Sequence, residues 1–355
     1  MLKIGILTSG GDCQALNAAM RGVAKGISSL KKDAEFYGFV DGYKGLIYGN
    51  YNAMSAGAFF GILNQGGTIL GTSRQPFKYM NVPDEQGLDK VKAMVDNYKR
   101  LNLDCLVVLG GNGSQKTANL LSSKGLNVIG LPKTIDNDLW GTDMTFGFSS
   151  AVEVATRALD EIHTTAKSHG RTFIVELMGH KVGWIALNAG IAGGADAILI
   201  PEIPYSTKSI VKKIKETTDR KGYTVIVVAE GALSNEEASL SKKERKKILR
   251  KTGGASLLLA KKLEDAGLDG IRTVNIGHTQ RGGSPCPYDR IIAGRFGAKA
   301  AQMIVDKDFG KLVVLNNNKI TGIPLAETAG KLKSIGKNSE IINEAKLLGI
   351  SFGEE

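Results

Sequence analysis

The chain has 355 residues, 42% of them hydrophobic, enough apolar mass to bury two domains or one large one. Its net charge of +11 favours acidic partners, and no apolar run approaches the roughly 18 residues that a membrane span needs. Cys13, Cys105 and Cys286 have neither metal nor disulfide spacing, which points to a reducing compartment and a cytoplasmic location. Residues 1–9 read as a strand and not as a signal peptide, because the apolar run is short and meets glycines at once. The basic cluster at 241–247 lies in a polar helical stretch and reads as a solvated face. With no nucleic-acid module and aromatics at only 6%, neither a nucleic-acid nor a membrane partner is expected.

Taken in chain order, a strand at residues 3–7 runs into Thr8-Ser9-Gly10-Gly11-Asp12 and then a helix at 15–28. A second strand at 105–109 meets Gly110-Gly111-Asn112-Gly113-Ser114 and a helix at 115–123. A third, at 128–131, runs into Pro132-Lys133-Thr134-Ile135-Asp136-Asn137-Asp138. A helix at 149–167 is a plausible crossover to further strands at 173–177, 197–200, 224–229 and 272–276. The last of these leads to Gly277-His278-Thr279-Gln280-Arg281-Gly282-Gly283-Ser284-Pro285 and a helix at 289–305. The strand runs are almost continuously apolar, as parallel strands covered on both faces require. The alternation predicts an open, doubly wound α/β protein, which binds ligands where the strands end.

Asp136 and Asp138, two residues apart and preceded by Lys133 and Thr134, form a phosphoryl-transfer kit. One carboxylate can take a proton from an attacking hydroxyl, the other can lie near a metal ion, and the lysine and threonine offset phosphate charge. A solvated turn is the plain alternative, since Asp and Asn are turn residues. The two glycine-rich strand-to-helix loops let backbone N–H groups approach phosphate, although neither matches a dinucleotide fingerprint or a Walker A loop. His278 and Arg281 suit a sugar phosphate, because a guanidinium forks onto phosphate oxygens, with a purely structural loop as the plain alternative for this motif alone.

These loops, together with Glu176-Leu177-Met178-Gly179, resemble the phosphofructokinases in order and spacing from Met1 to about Val305. The resemblance implies two doubly wound, mostly parallel-sheet Rossmann-like domains with the active site in the cleft between them. It implies a donor domain of about 1–146 plus 280–325 and a sugar-phosphate domain of about 147–279, while the polar, helical tail 326–355 reads as a peripheral extension. The implied reaction is transfer from ATP to the 1-hydroxyl of fructose 6-phosphate with Mg2+. Asp136 is then the general base, Thr134 touches the transferred phosphate, and Arg74 bridges donor and sugar phosphates. Gly11, Gly110, Gly111, Asn112, Gly113, Ser114 and Lys133 would hold the donor. Asn112, Asp136 and Asp138 would lie at the metal, with Asn112 weak because an amide replaces the family's usual acid.

On the acceptor side the resemblance assigns Met178, Gly179, His180, Glu230, His278 and Arg281, with Thr134, Asp136 and Asp138. His180 stands where the family most often has arginine. Arg171 and Arg272 match arginines that complete a neighbouring subunit's site, which implies a homo-oligomer, dimer or tetramer. Gly113 favours ATP, since a side chain there would fill the room for the α-phosphate and ribose. Lys133 favours the alternative donor, pyrophosphate. Arg21 matches the bacterial effector site, but Ala56, Gly61 and Asp219 do not, so regulation by nucleoside diphosphate or phosphoenolpyruvate is not expected. Bland roles are expected for His163, His169, Trp184 and Cys13, the last as an inert small residue.

Overall fold

The computed structural model describes residues 1–30 and 32–354, and the chain divides into two compact units. The first comprises Met1–Ser150 and Arg281–Lys333, and the second Ala151–Gln280 and Ser334–Glu355. Eleven strands occur among the described residues. They are β1 (Leu2–Ser9), β2 (Ala34–Phe39), β3 (Tyr51–Met54), β4 (Cys105–Gly110), β5 (Val128–Pro132), β6 (Thr172–Leu177), β7 (Ala197–Leu199), β8 (Thr224–Ala229), β9 (Ile271–Asn275), β10 (Lys311–Asn316) and β11 (Lys319–Pro324).

The first unit holds a sheet in the order β11-β10-β5-β4-β1-β2-β3, and the second a sheet in the order β7-β8-β6-β9. Pairing is parallel except for β2 with β3 and β10 with β11. Every residue of β4, β5, β6 and β8 is buried, so their unbroken apolar runs reflect helices on both faces. This is the two-sheet, doubly wound α/β architecture that the sequence implies.

Four strands lie outside the expected set. β2 interrupts its apolar run with Glu35 and Gly38. β3 and β11 are antiparallel edges with residues partly exposed to solvent. β10 offers only Leu-Val-Val-Leu between a lysine and an asparagine, a run too short to separate strand from helix by period.

The segment after residue 280 is tied firmly into the first unit. The buried Asp289 carboxylate accepts hydrogen bonds from the Ser150 amide (2.7 Å) and hydroxyl (2.6 Å), and Phe296 packs on Phe146. In the tail, Ile342, Ala345, Ile350 and Phe352 are buried, and Ser351 O accepts from Ile198 N of β7 at 2.8 Å. Among the described residues, no helix is long and apolar enough to cross a membrane.

Candidate active site

Three loops leave the first sheet at one level, because Ser9 is the register partner of Gly110 and Gly110 that of Pro132. Residues 10–12, 111–114 and 133–138 therefore emerge side by side. β1 has β2 on one side and β4 on the other, so the chain departs in both directions from this point, where open α/β sheets bind ligands.

In the first loop Gly10 adopts φ 87°, a region that favours glycine, and its N–H donates to Ser73 O at 3.1 Å. Thr72 Oγ1 donates back to Gly10 O (2.7 Å), and Ser73 Oγ donates to Asp41 O (2.7 Å). These bonds hold residues 72 and 73, which precede the exposed Arg74, against the first loop. A side chain at Gly11 would collide with Arg281, whose Nη1 lies 2.7 Å from where a Cβ would stand. Arg281 Nη1 also donates to Asp12 O at 2.8 Å. The guanidinium that the sequence links to His278 and the sugar phosphate is thus packed on the glycine loop, while His278 is exposed.

The second loop opens the helix Asn112–Ser123 on Gly111, whose lack of a side chain leaves the first-turn N–H groups open to an anion. Ser114 Oγ donates to Ser9 Oγ at 2.9 Å, and Tyr43 OH donates to Ser114 O at 2.8 Å. Gln115 Nε2 bridges the ends of β4 and β5, donating to Gly110 O (2.9 Å) and Leu131 O (3.0 Å). A Cβ at Gly113 would meet nothing within 4 Å. Asn112 Nδ2 donates to Lys331 O at 2.6 Å.

In the third loop Lys133 is buried and its ammonium donates to Gly11 O. Burial pushes its pKa down to about 8, opposed by Cys13; Arg281 lowers it further, and Asp136 and Asp12 raise it. Burial pushes the Cys13 thiol up to about 12 against the pull of Lys133, and its Sγ donates to Phe146 O at 3.6 Å. A thiol so held is not a nucleophile at neutral pH. Thr134 Oγ1 accepts from Asp136 N at 3.0 Å, and Asp136 and Asp138 remain partly exposed on either side of buried Asn137.

Asn137 has φ 52°, and its Oδ1 accepts from Thr145 N (3.1 Å) and Lys333 Nζ (2.8 Å). Burial pushes Lys333 down to about 8, against the pull of Asp143 and Asp138. The contact of Lys333 with this loop is one that sequence reasoning missed, since a lysine in a polar tail carries no signal of burial. No group of three or more His, Cys, Asp or Glu that could hold a metal occurs among the described residues. Two neighbouring carboxylates fit Mg2+ of the kind that takes most of its ligands from phosphate and water, and not an all-protein cage.

The second unit repeats the arrangement. Leu177 is level with Ala229, and Glu176 with Asn275, so Met178-Gly179-His180, Glu230 and the 3-10 turn Gly277–Arg281 follow adjacent strand ends. Glu230 accepts from the amides of Gly179 (3.3 Å) and His180 (2.7 Å) through Oε1. Gly179 and His180 have φ of 147° and 52°, and His180 is exposed. Met178 N donates to Gln280 Oε1 at 3.3 Å, and Gln280 Nε2 to Gly277 O at 3.0 Å. Glu176 Oε2 accepts from Ser256 N (2.8 Å) and Oγ (2.7 Å), a structural role. Arg272 is exposed on the edge strand β9, and Arg171 is half-buried just before β6. His163 packs edge-on against Tyr223, His169 ends the helix Phe148–His169, and Trp184 opens the helix Trp184–Ala192.

A family model described as Phosphofructokinase matches residues 3–304. The chain is 51% identical to an ATP-dependent 6-phosphofructokinase of Spirochaeta thermophila, over 99% of this chain and 97% of that one. It is 40% identical to a pyrophosphate–fructose 6-phosphate 1-phosphotransferase of Amycolatopsis methanolica, over 94% of this chain and 96% of the relative. Among solved structures it is similar to a Pichia pastoris phosphofructokinase in the T-state, with TM-score 0.77 and 32% identity over 92% of this chain. The chain spans 35% of the length of that yeast chain.

Proposed function

The chain belongs to the phosphofructokinase family, and on that premise we propose that it transfers the terminal phosphoryl group of ATP to the 1-hydroxyl of fructose 6-phosphate, giving fructose 1,6-bisphosphate and ADP. The observation that carries this reading is the shared level of the two glycine loops and the Asp136 loop, which puts phosphate-binding amides beside a candidate base. Asp136 accepts the proton of the sugar hydroxyl as that oxygen attacks the terminal phosphorus. Gly11 and the amides of Gly110, Gly111, Gly113 and Ser114 bind the donor phosphates. Thr134, Lys133 and Arg74 offset the charge that develops on the phosphoryl oxygens. Asp136 and Asp138 are the carboxylates that would hold Mg2+, and Asn112 could offer only its neutral Oδ1, since its Nδ2 is a donor and serves Lys331 O. The chemistry Mg2+ supplies is neutralisation of charge on the donor phosphates.

Acceptor recognition falls largely to the second unit, joined by Arg281 of the first. Met178, Gly179 and His180 form the sugar loop, and Glu230 braces it through Oε1 while Oε2 serves a sugar hydroxyl. His278 binds the sugar phosphate, with Arg281. Arg171 and Arg272 complete a neighbouring subunit's site in a homo-oligomer, a reading supported by the exposure of Arg272 on an edge strand. The open space at Gly113 supports ATP as the donor. Pyrophosphate is the second reading, supported by buried Lys133 at the glycine loop and by the 40% identical relative. Incubation with fructose 6-phosphate, ATP and Mg2+ should give a second sugar phosphoester signal in the 31P spectrum, abolished by chelator. A rate indifferent to chelator would contradict the assignment of Mg2+.

Lys133 gives the reaction a pH signature. With its pKa at about 8 the lysine is mostly charged at pH 7 and loses its charge as pH rises through 8. kcat/KM, which reports the free enzyme, is expected to fall along an alkaline limb near pH 8. Stability should move the other way. In the unfolded chain the lysine keeps its proton to about 10.5. Between the two values the unfolded state binds more protons, so stability rises with pH. A flat kcat/KM between pH 7 and 9.5 would count against a role for the Lys133 charge.

A further inference from the structure

We propose that residues 331–333 form a strap that positions the donor-side loops, and that Lys333 is a positioning residue for Asp136; this rests on reading the Asp136 loop as the place of phosphoryl transfer. An ammonium has three N–H donors in a compact head. That of Lys333 meets Asn137 Oδ1 at 2.8 Å, Thr142 O at 2.9 Å and Asp143 O at 2.9 Å. These acceptors lie one, six and seven residues after Asp136, although Lys333 lies 196 positions from Asn137 in the chain. The strap's backbone adds to the hold, because Lys333 N donates to Asp138 O at 2.9 Å and Leu332 bridges Leu139 antiparallel. Its other end reaches the second loop, where Lys331 O accepts from Asn112 Nδ2. One short segment therefore grips both loops that carry the candidate metal and base positions.

Asn137 shows why a grip is needed. It sits between the two aspartates with φ 52°, a conformation that costs a non-glycine residue energy unless its surroundings hold it. Its carboxamide oxygen is held by Thr145 N and by Lys333. Releasing Lys333 frees the peptide that sets the direction of Asp136, and a displacement of about 1 Å at a reacting group costs on the order of 100-fold in rate. The strap also accounts for the amide at residue 112. That side chain must donate to a carbonyl, and an ionised aspartate has no donor.

The test compares Lys333→Met, Lys333→Arg and Asn137→Gly with the unaltered full chain. Asn137→Gly keeps access to the left-handed backbone and removes the carboxamide. Lys333→Met should lower kcat by about 10- to 100-fold with KM for fructose 6-phosphate within about twofold. Hydrogen exchange should quicken in the peptide covering residues 136–146 and not elsewhere in the first unit. Lys333→Arg should recover most of the rate, and Asn137→Gly should reproduce the loss without adding to that of Lys333→Met. Unchanged kcat in Lys333→Met would overturn the proposal, as would faster exchange throughout the first unit, which marks a general structural role. If the unaltered chain phosphorylates no fructose 6-phosphate, the proposed function fails, while the exchange measurement still decides whether the strap holds the loop.

Discussion

Asp136→Ala is expected to lower kcat by about 1,000-fold and to leave the affinity for fructose 6-phosphate within about threefold of the unaltered chain. Asp136 is partly exposed, and its backbone is fixed by the Thr134 hydroxyl and by the anchored Asn137 behind it. Removing the carboxylate therefore deletes a proton acceptor while these backbone ties remain. Of the proposed sugar contacts, Met178, Gly179, His180, Glu230 and His278 lie in the second unit, on strand ends to which Asp136 does not belong. Steady-state rates and calorimetric titration with fructose 6-phosphate separate the two effects. A variant that keeps a tenth of the rate would remove Asp136 as the base. One that loses rate and sugar affinity together would make it a binding group.

Gly113→Asp is expected to lower kcat/KM for ATP by about 100-fold or more and to leave the binding of pyrophosphate unchanged. A Cβ at Gly113 meets nothing within 4 Å, so the fold has room for the substitution. Residue 113 lies in the first turn of the helix Asn112–Ser123, where a carboxylate is favoured by the helix dipole. Loss of activity could thus not be put down to misfolding, and thermal stability should hold or rise slightly. The effect on ATP comes from charge as well as volume. Two unit charges 4 Å apart near a protein surface repel by about 4 kcal/mol, equivalent to almost 1,000-fold. Equal losses in the binding of ATP and of pyrophosphate would mean that the space at Gly113 does not discriminate between them.

The framework of both units was legible because parallel strands covered on two faces must be apolar almost without interruption. β4, with every residue buried, announces itself, and so do the loops that follow such strands. Register carried the rest of the argument: the pairing of Ser9 with Gly110 and Gly110 with Pro132 turns three sequence motifs into one row. What escaped the sequence are ties between distant residues. Lys333 looks like any solvated lysine until its acceptors at residues 137, 142 and 143 are seen. The amide at Asn112 looks like a weakened metal ligand until its donation to Lys331 is seen. Arg281 carries the right chemistry for a sugar phosphate, yet its contacts with Gly11 and Asp12 depend on packing that spacing does not encode. The edge strands β3 and β11 were hidden for a different reason, since a half-exposed antiparallel edge needs no continuous apolar run.

The most direct measurement is the initial rate of fructose 1,6-bisphosphate formation from fructose 6-phosphate and Mg2+, with ATP and pyrophosphate supplied in parallel reactions. Turnover with ATP and none with pyrophosphate is the expected result, with Gly113 setting the donor and Lys133 permissive. Turnover with pyrophosphate alone would contradict it and give the decision to the buried lysine.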